Sequence, residues 1–207
     1  MNTKIKKPLI VKTVKGRIVQ TIRKTGNVAG ATVDTVTDIL AKLIEDAGDE
    51  SAAITHSISC VVSGVIHGAA HVGADLNHAS QGIMIGVLRG SRKAGEEALE
   101  TIRHTAHVAI RDTARIGGDV EVAVTGLIEG AIKGATLFEL RAEAAAAAAA
   151  DGAMKAAGQA GPGAIHAVRK AVKLPIQGVL VVLEEVEEYP RLPRAANRIL
   201  RHDPKSF

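Results

Sequence analysis

Five residues able to ligate a metal share one helical face. At about 100° per residue, His56, Cys60, His67, His71 and His78 fall within about 60° of one another, opposite Ile58, Val61, Val65, Val72 and Leu76. His67 and His71 are four apart, as are His56 and Cys60, so either pair could grip one metal from a single turn. The remaining ligands would come from a second helix or another copy, and a haem is the related possibility. The competing reading is the polar side of a tightly packed helix, favoured because no Asp or Glu stands alongside to orient the imidazoles. Protonation of such a row near pH ~6 would set like charges side by side and loosen an assembly.

Other chemistry is not signalled. The chain has no GxxxxGK[ST] phosphate loop, no GxGxxG after a strand, no GxSxG, no HExxH and no CxxC. An enzyme is therefore not expected, nor a cofactor outside the histidine face. The single cysteine, Cys60, excludes an intrachain disulfide. Lys4 to Lys7 is followed by Pro8 and a short apolar run, Leu9 to Val11, which does not make a secretory signal. The expectation is a cytoplasmic protein, with a peripheral membrane location as the alternative.

The elements that must carry these residues follow from periodicity. Leu43, Ile54, Val65, Leu76, Val87, Ala98, Ala109, Val120 and Ala131 form a ladder at a step of 11, and Val61, Val72, Ile83, Ala94, Thr105, Ile116, Leu127 and Phe138 form a second. Eleven residues span three turns at about 3.67 per turn, so one face stays apolar over a long distance. This predicts an all-α chain of elongated, amphipathic helices with 11-residue periodicity, folded into hairpins or a bundle. Aromatics are nearly absent, two Phe and one Tyr in 207 residues, so any core is thin and built from Ala, Val, Ile and Gly.

Breaks are expected at Gly26 to Gly30, at Gly48 with Asp49, and at Gly117 and Gly118 with Asp119 as the next cap. Between them a helix is expected from about Thr32 to Ala47. Ser51 to Ile116 contains no proline, and unbroken it would run roughly 100 Å. Val120 to Ala150 reads as one helix, Ala164 to Val172 as a short one, and Pro175 opens a last helix from Ile176 to Glu188, before a tail with Pro190, Pro193 and Pro204. The domain reading is residues 1-25 as a basic amphipathic segment, 26-157 as a long helical region with breaks near 48 and 117-118, and 158-207 as C-terminal helices and an extended tail.

Two features point to partners. Gly64 and Gly68, then Gly82, Gly86 and Gly90, then Gly126, Gly130 and Gly134 repeat at four and form rows along their helices. Interior glycine is costly unless a neighbouring backbone comes close, so these rows predict glycine-rich helix packing and a homo-oligomer. Lys4, Lys6, Lys7, Lys12, Lys15, Arg17, Arg23 and Lys24 precede the first acid, Asp34, and alternate with apolar residues, which suits an anionic lipid surface. A solvated face paired with acids elsewhere, such as Glu184, Glu185, Glu187 and Glu188, is the alternative. Nucleic acid is a minor reading, since a net charge of +4 comes without aromatics for stacking.

Eleven-residue repeats with Thr, Gly and Val, such as Lys24 to Val36, resemble those of lipid-surface proteins such as synucleins, apolipoproteins and lipid-droplet coats. The resemblance covers roughly residues 10 to 135 and carries no residue-specific motif. Together these features predict a non-enzymatic scaffold that self-assembles, coating a lipid or granule surface. The alternatives are a membrane-inserting or pore-forming protein, since Ser51 to Ala74 lacks any Asp, Glu, Lys or Arg, and a metal- or haem-binding module.

Overall fold

A computed structural model describes residues 7–47, 51–91, 95–181 and Leu183. The described residues form eight helices and no strand: α1 (Lys7–Thr25), α2 (Val28–Ala47), α3 (Ser51–His71), α4 (Leu76–Ser91), α5 (Gly95–Arg115), α6 (Val120–Ala135), α7 (Ala142–Ala160) and α8 (Pro162–Ala171). Each follows its apolar spacing. In α1 the buried residues are Ile10, Val14, Ile18 and Ile22, one stripe at four.

The helices lie in two rows. α1 packs on α3, α3 on α5 and α5 on α7, while α2 packs on α4, α4 on α6 and α6 on α8. Helices adjacent in sequence pack across from one row to the other. Ile18, Leu40, Ile66, Ile83, Met84, Leu88, Ile102, Leu127 and Ile128 are fully buried and supply most of the bulk between them. Each such side chain removed from water stabilises by about 1.5–3 kcal/mol, whereas the many buried alanines mainly permit close approach.

The switch from one row to the other reuses one turn. Gly26, Gly73 and Gly117 end α1, α3 and α5 with φ of 68°, 64° and 69°, a left-handed conformation that costs glycine nothing. Asn27, Asp75 and Asp119 then cap the next helix, accepting the N–H of Gly30, His78 and Val122 at 2.9, 2.9 and 3.1 Å. Gly161 and Pro162 make the fourth switch, with Pro162 opening α8.

Several sequence expectations need correction. The stretch from Ser51 to Ile116 is three helices: α3 stops at His71, and α4 and α5 follow. The left-handed Gly73 with Asp75 as a cap reads as a stop in hindsight, although the 11-residue ladder runs through it. Val120 to Ala150 is two helices, parted by residues 136 to 141, where Glu139 has φ 54°. That break contains neither Gly nor Pro and left no mark in the sequence. α2 begins at Val28 rather than Thr32, because Asn27 caps it. Pro175 opens no helix: Ile176 and Val179 exchange both backbone hydrogen bonds at 2.9 Å around Gln177 and Gly178, whose φ values of 49° and 81° define a tight reversal. Residues 48 to 50 and 184 to 207, where the expected second break, the acidic cluster and the tail fall, lie outside the described residues.

Candidate assembly interface

The eight glycines of the predicted rows face helices of the same chain. A Cβ on Gly64 would stand 2.6 Å from Val14 Cβ, one on Gly82 2.7 Å from the Ala29 carbonyl oxygen, one on Gly86 2.7 Å from Val36 Cβ, and one on Gly130 2.7 Å from the Gln81 oxygen. Gly68 meets Ile18, Gly90 meets Leu40, Gly126 meets the Asn77 backbone and Gly134 meets Leu88. α3, α4 and α6 therefore rest closely on the helix two before each of them. Gly152 of α7 does the same on the Arg103 carbonyl of α5.

The contact between α3 and α5 is built differently. Ser59 Oγ donates to the Thr55 carbonyl at 3.0 Å and lies 2.9 Å from His104 Nε2. Ser63 donates to Asp112, which is 3% exposed and also accepts from Arg111 Nε at 3.0 Å. Burial, and then the neighbouring His107, pushes His104 below the usual imidazole range; burial, with Arg111 and Lys155, does the same to His107. Ser, His and Asp thus meet on one seam, yet the hydrogen bonds run Ser59 to His104 and Ser63 to Asp112. A base that is itself oriented by the acid, as nucleophile activation needs, is not formed by these bonds. The open cleft beside the seam, about 180 Å³, is lined by Ile54, Thr55, Ile58, Glu97, Thr101 and His104 among others. This seam escaped the sequence reading because His104 and Asp112 match no motif and meet their serines only through helix packing.

The histidine face does not stay together. His78 belongs to α4, where its ring pairs with Asp75 at 3.1 Å, while the others are on α3. The 100° projection assumed one helix through residues that Gly73 turns away. His56 Nε2 is 3.6 Å from Cys60 Sγ, and His67 Nδ1 is 2.7 Å from the Ser63 carbonyl. Burial raises the Cys60 thiol above its ordinary range, which disfavours the thiolate a metal requires. Among the described residues no three His, Cys, Asp or Glu side chains converge on a point where a metal could sit.

Lys7, Lys12, Arg17, Arg23 and Lys24 are exposed on α1 and Lys15 is half-buried, with no acid anywhere in that helix. Lys4 and Lys6 lie outside the described residues. The neighbouring α2 has the opposite sign, with Asp34, Asp38, Glu45 and Asp46 exposed against Lys42. Among the described residues none of these charged groups on α1 or α2 makes an ion pair.

The apolar helix α3 is the one described helix long and apolar enough to cross a membrane, and 67% of its most apolar window is buried inside the fold. No protein-family model matches this chain, and no curated protein or solved structure matches it either.

Proposed function

We propose that the protein is a non-enzymatic structural scaffold, an elongated array of paired amphipathic helices that self-associates and lines a surface. The observation that supports this most is where its side chains go. Glycine lets helix backbones meet within both rows, apolar residues are buried among the helices, and the charged residues of α1 and α2 lie outside with no ion pair among the described residues. Such a molecule works through its outer faces. Light scattering of the full chain, with and without anionic vesicles, tests the reading. A defined oligomer in solution is expected, and a monomer that binds neither itself nor vesicles would sink it.

A second reading rests on α1, whose six described cations without an acid suit an anionic lipid surface. The apolar stripe of α1 is spent on α3, so attachment would be electrostatic rather than insertive. Vesicle binding that vanishes as salt rises from about 0.05 to 0.5 M is its signature.

A further inference from the structure

In each row the later helix packs on the earlier one, and α1 and α2 come first, so among the described residues no helix packs on their sides turned away from α3 and α4. On α1 that side is opposite the Ile10, Val14, Ile18 and Ile22 stripe and holds Lys12, Gly16 and Arg23, with nothing within 4 Å of where a Gly16 Cβ would stand. On α2 it is opposite Val36 and Leu40, which face α4, and it holds Asp34, Asp38 and Glu45. One end of the molecule therefore presents a basic helix beside an acidic one. Among the described residues neither set of charges forms an ion pair.

We propose that this end face pairs with the same face of a second copy, about a twofold axis running along the helices. Deepening the scaffold reading and resting on it, this pairing lays α1 of one copy on α2 of the other and repeats the contact by symmetry. An anionic surface would satisfy the cations of α1 and repel the adjacent acids of α2. A second copy satisfies both signs at once, and this favours it. Two helices of 19 and 20 residues, each ~30 Å long and ~10 Å across, offer on the order of 600 Å² per copy. About 1,200 Å² in total is the lower end of a stable interface, here polar and salt-sensitive.

A charge exchange tests the pairing. In variant one, Lys12→Glu and Arg23→Glu turn the outer side of α1 acidic like that of α2; in variant two, Asp34→Lys and Asp38→Lys turn the outer side of α2 mainly basic like that of α1. All four positions are exposed, and circular dichroism checks that each variant remains helical. The wild type is expected to have a dimer mass at about 0.05 M salt and to dissociate as salt is raised. Each variant alone alters four sites per dimer, each worth about threefold, so its association weakens on the order of a hundredfold. An equimolar mixture of the two is expected to recover the dimer, because each helix again meets its opposite. If both variants associate as the wild type does, or if the mixture stays monomeric, this pairing is wrong. An oligomer indifferent to these charges would discard the pairing and leave the scaffold reading standing; a monomer that also ignores vesicles would remove both.

Discussion

At the scale of single residues, two histidines of α5 make the fold sensitive to acid, His104 on the seam with α3 and His107 beside Gly152 and Lys155 of α7. His104 and His107 are held below the ordinary imidazole range, mainly by burial, so the unfolded chain takes up protons at a higher pH than the folded one. Stability from this source is complete above about pH 6.5 and is lost as the pH falls through the depressed folded values. Thermal melts at about pH 7.5 and 5.5 should show the drop, and His104→Gln should reduce it. A variant as acid-sensitive as the wild type would show that the seam is not its source. Ser63→Ala removes one of the donors to a nearly buried carboxylate, and a loss of about 1–3 kcal/mol is expected from urea unfolding. The sequence did not show this site. Single histidines and an aspartate acquire meaning only when the register of two helices is known, whereas the basic run of α1 was legible because charge needs no register.

At the scale of helices, the glycines divide by what stands opposite. Gly152 lies on the Arg103 carbonyl, while Gly158, six residues on in the same helix, has open space around its Cβ position. Gly158→Ala should stabilise by up to about 1 kcal/mol, because alanine is the better helix former. Gly152→Ala gains the same propensity and should nonetheless destabilise by about 1–3 kcal/mol, since backbone must move to admit the methyl. Guanidinium titrations of the two variants would show it, and similar midpoints would mean that α7 does not press on α5 this closely. The all-α character and the glycines at Gly26 and Gly117 were readable in advance. The helix ends at 71 and 135 were not, because the 11-residue ladder continues through a reversal that changes rows without changing apolar spacing.

For the molecule as a whole, stability should be graded along the rows. Among the described helices α4 packs on α2, α3, α5 and α6, whereas α1 packs mainly on α2 and α3. Amide exchange on the native protein should therefore find α1 opening first and α4 last, and equal protection throughout would contradict a layered arrangement. Side-chain hydrogen bonds between helices of the same row have a narrow reach: Thr37 to Gly86, Ser59 to His104, Ser63 to Asp112, Gln81 to Glu129 and Arg103 to Asp151 span 45 to 49 residues. A fold wired at one nearly constant distance along its chain behaves as a ruler marked in pairs of helices. Cutting out or duplicating one such pair, from one glycine switch to the next, would keep this spacing while changing which side chains meet Ser59, Ser63, His104 and Asp112. A change of length that respects this spacing is therefore expected to come in whole pairs of helices.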